Sequence, residues 1–312
     1  DYGIHVLVLA FVMLVPATKL TSDTQLATLL SLPMATLALP ALFTAFQGGC
    51  QERVSGSLDM PIIYGTNVAV LVSICIFAAS QTLQARQWHL SGLYFVAIVI
   101  GIAAIIASAS RGPFVAVAVV AILILATYLL KQRLTWKGWL AVSSVLICSV
   151  AAVMFSPIAD RLWAAVENTV SGSTTSSIGI RLELWRSGLD AIAQHPWQGV
   201  GISGHNDYFQ SQLLSNPSYM EPAAVGYMHL HNDWINAFAW FGIPLGLLFM
   251  APLVLPLRHL RSPSPGLQAS AYSALTFVLC GLSNAPSIRA GSLVFFFILL
   301  FVCRQWPSHS AK

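Results

Sequence analysis

The sequence predicts an all-α fold, a polytopic membrane helix bundle with one large loop domain on its outer side. Only 8% of the 312 residues are charged and 56% are hydrophobic, whereas a soluble domain carries about 25% charged residues. The apolar residues form runs long enough to cross about 30 Å of hydrocarbon as helices, and one sizeable polar stretch, 157–231, separates them. Lipid is therefore the expected solvent for most of this chain.

Nine apolar runs are predicted to span the membrane. They fall at about 3–20, 25–46, 62–80, 91–109, 113–130, 138–156, 233–257, 267–284 and 290–303. Prolines at positions 16, 33, 40 and 244 would kink these helices, and neighbouring helices can satisfy the freed carbonyls. We divide the chain into N-terminal transmembrane helices (1–156), a loop domain (157–231) and C-terminal transmembrane helices (232–312).

The basic residues predict the orientation. Lys and Arg concentrate in cytoplasmic loops, and three clusters lie an even number of predicted spans apart: Lys131, Arg133 and Lys137; Arg258 and Arg261; Arg304 and Lys312. This topology places 110–113, 157–231 and 285–289 on the outer side. It also places Asp1 outside, so a cytoplasmic N-terminus would require an odd number of further spans upstream. Short clusters without a continuous basic stripe predict no nucleic-acid partner.

The middle of the polar stretch predicts an amphipathic helix. The segment "SSIGIRLELWRSGLDAIAQHP" repeats apolar residues at helical spacing, and Pro196 ends it. The predicted apolar stripe consists of Leu182, Trp185, Leu189 and Ile192. We expect this helix to lie on the membrane surface or over the ends of the spans.

Two arginines are candidates for anion binding. Arg111, in "ASASRGPFVAV", lies between two apolar runs with no neighbouring carboxylate, and Pro113 places it near a helix N-terminus. It is either an anchor that snorkels to the interface or a functional group. Arg181 lies outside the charged stripe formed by Glu183, Arg186 and Asp190, so it either covers the ring of a Trp or binds an anion.

The stretch "HLHNDW" at 229–234 places polar residues directly before a long apolar run. Residues two apart on a helix face different directions, so His229 and His231 make a poor metal pair and we predict no metal site. Asn232 or Asp233 supplies a helix N-cap. A histidine at the rim of a cavity can also take a proton from a hydroxyl group at neutral pH.

Other chemistries have little support in the sequence. The glycine-rich "GVGISGHNDYF" at 199–209 matches neither a phosphate-binding loop nor a dinucleotide fingerprint, and no strand–helix unit surrounds it. No Ser-His-Asp or Cys-His pattern is evident. The outer carboxylates lie mostly in the charged helix, which disfavours a paired-carboxylate glycosidase.

Three segments together resemble the O-antigen ligase and O-antigen polymerase superfamily of bacterial envelope glycosyltransferases. "SASRGP" resembles an Arg-containing turn between two spans. "RLELWRSGLDAIAQHPWQGVGISGHNDYF" is similar to a periplasmic-loop pattern of Arg, a Trp four residues on, Pro and G-x-G. "HLHNDWINAFAWFGIPLG" resembles the ligase motif of His-Asn, nine residues and Gly, although Leu245 stands where a small or hydroxyl residue is often found.

The resemblance implies a function and roles for individual residues. Arg111 and Arg181 match arginines that hold the pyrophosphate of an undecaprenyl-diphosphate-linked glycan, and His231 matches a histidine proposed to activate the acceptor hydroxyl. Independently of the resemblance, the residues themselves suggest that Asn232 and Asp233 shape the helix start and that His229, His205 and Arg289 line the acceptor path. No cofactor or metal is implied.

The expected activity is that of an O-antigen ligase of the bacterial inner membrane. It would transfer O-antigen from its undecaprenyl diphosphate carrier to a lipid A–core hydroxyl at the periplasmic face, within membrane lipids. The alternatives are an O-antigen polymerase or protein O-oligosaccharyltransferase of the same superfamily, and a secondary transporter. A transporter would favour ionisable groups at mid-membrane in repeat-related halves, whereas here the charges gather at one face.

Overall fold

A computed structural model describes residues 22–47, 60–131, 163, 167, 177–215 and 229–306. Within these ranges the regular secondary structure is helical throughout. The α-helices, numbered along the described residues, are α1 (Asp23–Gln47), α2 (Pro61–Gln84), α3 (Trp88–Ala107), α4 (Arg111–Lys131), α5 (Ser177–Gln194), α6 (Gly204–Ser215), α7 (Asp233–Val254), α8 (Pro265–Gly281) and α9 (Ala290–Arg304). Short 3-10 helices follow at Leu255–His259 and Pro286–Ile288.

Five described helices are long and apolar enough to cross a membrane, so the chain is a multi-pass membrane protein. They are Asp23–Phe46, Pro61–Gln84, Trp88–Ala107, Arg111–Tyr128 and Asp233–His259, and they match five of the nine predicted spans. The predicted spans 267–284 and 290–303 correspond to helices of 17 and 15 residues. The predicted spans 3–20 and 138–156 lie outside the described residues.

The chain forms two compact units. The first comprises Asp1–Ile158, Pro256–Leu279 and Ala290–Lys312, and the second comprises Ala159–Leu255 and Cys280–Arg289. The second unit therefore combines α5, α6 and α7 with the segment that follows α8. The three-part division at 156 and 231 remains a prediction.

Helix α2 is the centre of the first unit. It packs against α1, α3, α4 and α9, and most of its side chains are buried. Polar contacts are made inside this apolar packing: Thr276 donates to the Ser73 hydroxyl oxygen at 2.7 Å, and Ser292 donates to Asn67 Oδ1 at 2.6 Å. Buried polar groups are thus paired within the bundle, as an apolar environment requires.

The second unit is built on the packing of α5 against α7. Its core contains Leu184, Ala191, Leu230 and Ala239, all of them buried. At Gly188 of α5, a Cβ atom would collide with the side chains of Ile235 and Leu230. The absence of a side chain at this position allows the two helices to approach closely.

The apolar stripe predicted for α5 lies only partly on the face that packs against α7. Ile192 packs against the core, but Leu182 and Leu189 are 50% and 57% exposed, and the fully buried leucine is Leu184. Apolar residues occur on more than one face of this helix, so periodicity alone does not select the packed face. The small residues Gly188 and Ala191 determine which face packs, because they allow α7 to approach closely. Pro196 ends the helix as predicted, since α5 stops at Gln194.

Candidate active site

The N-terminus of α7 is capped by Asn232, as the sequence predicts. Asn232 Oδ1 accepts hydrogen bonds from the backbone N–H groups of Trp234 and Ile235, at 2.9 and 3.1 Å. Its Nδ2 donates to the Leu282 carbonyl oxygen at 3.0 Å. One amide side chain therefore begins the helix and fastens the segment after α8 to it.

His231 precedes this cap in a left-handed backbone conformation. Its φ angle is 52°, which costs a residue other than glycine about 1–3 kcal/mol. Neighbouring contacts hold the turn: the His231 N–H donates to His229 Nδ1 at 3.3 Å, and the Leu230 N–H donates to Asn236 Oδ1 at 2.8 Å. The rings of His229 and His231 meet edge to face with centroids 4.3 Å apart. The imidazole of His231 thus has a defined position.

Asp233 fastens the same segment at a second point. Its buried carboxylate accepts hydrogen bonds from the Ser287 N–H at 3.2 Å and from the Ser287 hydroxyl at 2.6 Å. A Cβ atom on Gly281 would lie 2.7 Å from Asp233 Oδ2, so the small residue allows the approach. The 3-10 turn Pro286–Ile288, and Arg289 after it, are therefore held beside the start of α7.

Burial and two guanidinium groups lower the pKa of the His231 imidazole. Burial is the largest cause that lowers its pKa, and the positive charges of Arg181 and Arg289 lower it further. A hydrogen bond to the Asn284 side chain acts in the opposite direction. The result is a pKa of about 4 against an ordinary value of 6.5, so at pH 7 His231 is neutral and able to accept a proton.

Helix α7 is interrupted at Gly242, and the loop after α5 binds to the interruption. Gly242 has φ 73° and ψ 172°. Pro244 has no N–H group to offer the Trp240 carbonyl oxygen four residues earlier, and the Gly201 N–H donates to that oxygen instead, at 3.0 Å. The Ala239 carbonyl oxygen accepts from the Val200 N–H at 2.8 Å. Backbone groups freed by the break are thus satisfied by the loop.

Two glycines make this junction possible. A Cβ atom on Gly199 would lie 2.5 Å from the Trp240 backbone, and one on Gly242 would collide with the Trp197 carbonyl oxygen. Both residues also have positive φ angles. The Ile243 N–H completes the contact by donating to the Pro196 carbonyl oxygen at 2.7 Å. The loop and the helix therefore meet backbone to backbone.

A protein-family model described as O-antigen ligase matches residues 96–250. These residues include α5, most of α7 and the junction between the loop and Gly242. The chain is a member of the O-antigen ligase superfamily.

A curated relative of this O-antigen ligase superfamily member is an uncharacterized protein of Haemophilus influenzae. The two are 25% identical over 71% of this chain. The chain covers 57% of the length of that relative, which therefore contains further residues.

In this superfamily member the structure explains the spacing of two motifs. The nine residues between Asn232 and Gly242 are the first segment of α7, from the cap to the break. The Pro and G-x-G of the loop motif, Pro196 and Gly199 with Gly201, are the residues that bind to this break. The two motifs thus describe the two sides of one junction.

The second unit contains most of the predicted site residues. The starts of α5 and α7 and the segment after α8 contribute Arg181, His231 with His229 and Asn232, and Arg289, and the charges of both arginines affect the imidazole. His205 lies in α6 of the same unit. Arg111 belongs to the first unit, where it is the first residue of α4, at a helix N-terminus as predicted.

Sequence reasoning missed Asn284 and Ser287 as members of the site. Both are buried, and both contact residues at the start of α7. The available signal was the polar segment "SNAPS" at 283–287, between two apolar runs and directly before Arg289.

The described residues contain no group of three or more His, Cys, Asp or Glu side chains that could hold a metal ion. In this superfamily member the positive charge beside His231 is supplied by guanidinium groups. Such groups suit phosphate because their parallel N–H donors form forked hydrogen bonds with its oxygens.

Proposed function

We propose that this protein is an O-antigen ligase that acts at the periplasmic face of the bacterial inner membrane. The donor is O-antigen on undecaprenyl diphosphate, and the acceptor is a hydroxyl group of the lipid A–core. The observation that carries the proposal is the half-buried imidazole of His231 near Arg181 and Arg289, whose positive charges, after burial, keep its pKa low. A base beside two permanent cations suits a reaction in which a hydroxyl attacks and a diphosphate leaves.

In the proposed reaction the arginines stabilise the leaving group. The bond between the anomeric carbon and the diphosphate oxygen breaks, and its electron pair stays on the diphosphate. Arg181 and Arg289 neutralise the developing charge. Removal of one such donor costs other enzymes about 10²–10³ in kcat. Arg111 matches the family motif as a further ligand of the diphosphate and stays in that proposed role.

His231 takes the proton of the acceptor hydroxyl as the hydroxyl oxygen forms its bond to the anomeric carbon. General-base catalysis typically contributes about 10²–10⁴-fold. The bound diphosphate also offsets the positive charges that lower the pKa of the imidazole, so His231 becomes a stronger base once the donor is bound. Direct attack opposite the leaving group inverts the anomeric configuration, and no metal or cofactor takes part.

The other predicted residues support this arrangement. Asn232 and His229 hold His231 in its strained turn through the cap and the ring contact. His205, on α6, is proposed to line the acceptor path. None of these side chains is required to exchange a proton in the reaction.

One observation favours a sister activity as the second candidate. Leu245 occupies the third position after Gly242, where ligases often carry a small or hydroxyl residue, and it is 57% exposed. An O-antigen polymerase or a protein O-oligosaccharyltransferase would use the same base and the same anion site with a different acceptor. The chemical identity of the acceptor therefore distinguishes a ligase from these two sister enzymes.

Complementation of a bacterial strain that lacks its own ligase tests the proposal. The lipopolysaccharide ladder on a gel is expected to return with the wild-type protein and to be absent with His231→Ala, although both proteins insert equally. His89→Ala, which changes an exposed histidine of α3 in the first unit, is the matched control and should restore the ladder. A normal ladder from His231→Ala would exclude the proposed mechanism. Failure of the wild-type protein would exclude the ligase, and a ladder restored in a strain that lacks its own polymerase would point to the polymerase.

A further inference from the structure

We propose that Gly65 of α2 is a positioning residue for Arg111. The inference deepens the proposed function and rests on it, because it takes Arg111 as a ligand of the donor diphosphate. Gly65 is buried near the start of α2, far from the arginine in sequence and outside the residues that the family model matches. All the residues of the contact described below belong to the first unit.

The turn before Arg111 is short, buried and strained. Helix α3 ends at Ala107 and α4 begins at Arg111, so only Ser108, Ala109 and Ser110 connect the two helices. All three are buried. Ala109 has a φ angle of 49°, in the left-handed region that residues with a Cβ atom rarely adopt. Such a conformation persists only where surrounding contacts hold it.

Hydrogen bonds give the turn its own shape. The Ser108 hydroxyl donates to the Ile105 carbonyl oxygen at 2.7 Å, and the Ala109 N–H donates to the Ile106 carbonyl oxygen at 2.8 Å. The Ser110 hydroxyl donates to the Ser108 carbonyl oxygen at 3.3 Å. These bonds tie the turn to itself and to the end of α3, and its contact with α2 is a separate one.

Gly65 allows the turn to pack against α2. A Cβ atom on Gly65 would lie 3.0 Å from Ser108 Oγ and 3.2 Å from both Ser110 Cβ and Pro113 Cγ. At these distances the neighbouring atoms must shift by a few tenths of an ångström. The Ser108 hydroxyl is held by its hydrogen bond and the proline ring is rigid, so the turn would have to shift as a whole. Its atoms lie on both sides of Arg111 in sequence, so the backbone of the arginine would shift with them.

The position of Arg111 is important because its donors must meet the oxygens of a diphosphate. Forked hydrogen bonds between a guanidinium group and a phosphate are geometrically specific, and a misplacement of about 1 Å can cost about 10²-fold in rate. Arg111 is the first residue of α4, so its backbone follows the turn directly. A shift of the turn should therefore weaken donor binding without abolishing it.

Gly65→Ala tests the role by filling the space beside the turn. The added methyl group favours a helix, so the protein should fold with a similar thermal midpoint. In detergent, KM for undecaprenyl-diphosphate-linked glycan is expected to rise about 3–10-fold, with KM for lipid A–core unchanged. A loss of folded protein alone would lower the rate and change neither KM.

Two further variants frame this result. Gly101→Ala is the matched control, since Gly101 is a buried glycine of α3 where a Cβ atom would collide with Val72 and not with the turn. It should lower the thermal midpoint and leave both KM values unchanged. Ser110→Gly removes a side chain that faces Gly65, so it loosens the contact without a collision. KM for the donor should rise again.

A double variant shows whether Gly65 acts through Arg111. Binding of undecaprenyl diphosphate is measured by calorimetry in detergent. Gly65→Ala should weaken binding in the wild-type background and have little further effect in Arg111→Gln, because the guanidinium group is already lost. Equal losses in the two backgrounds would mean that the glycine serves the fold alone. Unchanged binding in Arg111→Gln would remove the premise, and the inference with it.

The remaining outcomes separate this inference from the proposed function. Unchanged KM for the donor in Gly65→Ala, or the same change in Gly101→Ala, overturns the role of Gly65. If Gly65→Ala does not fold, Ser110→Gly decides alone, and an unchanged KM for the donor in that variant overturns the role as well. Full activity of His231→Ala would refute the proposed function itself, whereas an inactive His231→Ala with unaffected Gly65 variants would refute only the present inference.

Discussion

Ser287 donates both its backbone N–H and its hydroxyl group to the carboxylate of Asp233, 54 positions earlier in the chain. The contact joins the turn that precedes Arg289 to the helix that begins just after His231. Arg289 and His231, from distant parts of the sequence, are thus held in one unit by the side chains of Ser287 and Asp233.

The Ser287 hydroxyl is expected to be needed for both stability and transfer. Ser287→Ala removes one of the donors to the buried side chain of Asp233, and the loss of such a hydrogen bond costs about 0.5–1.5 kcal/mol. It also loosens the turn before Arg289, so glycan transfer should fall. Ser283→Ala, in the same segment, is the control and should change neither the thermal midpoint nor the rate. Equal behaviour of the two variants would show that the Asp233 contact does not position Arg289.

Removal of either guanidinium group should have two separate effects. Arg181→Gln and Arg289→Gln each lose a ligand of the diphosphate, with a fall of about 10²–10³ in kcat. Each also removes a positive charge that lowers the pKa of His231, so the acid limb of the kcat/KM profile should move to higher pH. Lysine at either position should return the acid limb of the kcat/KM profile to its wild-type pH, because it restores the positive charge. It should restore only part of kcat, because lysine lacks the planar, bidentate guanidinium group of arginine.

The control for the arginine variants is Arg186→Gln, which changes an exposed arginine of the same helix as Arg181. Transfer assays over a range of pH compare the three glutamine variants. An equal loss in Arg186→Gln would mean that general surface charge, and not the site, is responsible.

The low pKa of His231 predicts the pH dependence of activity and of stability. The folded value is about 4 against an ordinary value of 6.5, so kcat/KM should hold as pH falls through 6.5 and decline only near 4. The acid limb of kcat should lie higher, because the bound diphosphate offsets the two cations. Below pH 6.5 the unfolded chain takes up a proton at this histidine that the folded protein refuses, and folding stability is lost progressively down to pH 4.

His231→Gln isolates the stability effect, since glutamine does not titrate. Thermal midpoints measured between pH 4 and 7 should fall less steeply for this variant than for the wild-type protein. Parallel curves would contradict the lowered pKa.

A graded series of Gly→Ala variants tests the junction at Gly242. Gly92→Ala, in α3 with open space around it, should be neutral or stabilise the helix by up to about 1 kcal/mol. Gly201→Ala has space but a φ angle of 77°, so it should cost about 1–2 kcal/mol. Gly199→Ala and Gly242→Ala add a collision with backbone and should be the most damaging. Thermal unfolding in detergent gives the order, and a midpoint for Gly242→Ala near that of Gly201→Ala would argue against direct backbone contact.

Chelation of divalent metal ions should leave glycan transfer unchanged. The proposed charge stabilisation comes from Arg181 and Arg289, which no chelator removes. The purified protein is assayed before and after treatment with EDTA, with a Mg²⁺-dependent glycosyltransferase as the positive control. Activity that is lost with EDTA and restored by a metal ion would revive a metal site at His229 and His231.

The membrane helices and the cap of α7 were predictable because each follows from local sequence. Apolar runs of span length gave α1 to α4 and α7, and Asn232 directly before such a run gave the cap. The junction at Gly242 was foreseen only as a proline kink at Pro244. Which loop would satisfy the freed carbonyls depends on a backbone contact between distant segments, and no local pattern specifies that contact.

The same limit applies to the candidate site. His231, Arg181 and Arg289 could be proposed as site residues because titratable residues are rare in this sequence and stand out beside apolar runs. Asn284 and Ser287 are small and uncharged, and their importance comes from partners about fifty residues away. The face of α5 that packs against α7 was not predicted for a related reason, because Gly188 and Ala191 are important only through the close approach of other residues that they allow.

The first segment of α7 is held by contacts at both ends, so its length is fixed by the distance between those contacts. At one end Asn232 binds Leu282, and at the other the backbone around Gly242 binds Pro196. Between them the helix makes about two and a half turns, and one inserted residue would rotate one end against the other by about 100°. Side chains along this segment can be substituted within the limits of packing. The number of residues, however, fixes the rotation of one end of the segment relative to the other, and therefore the orientation of His231 toward its partners.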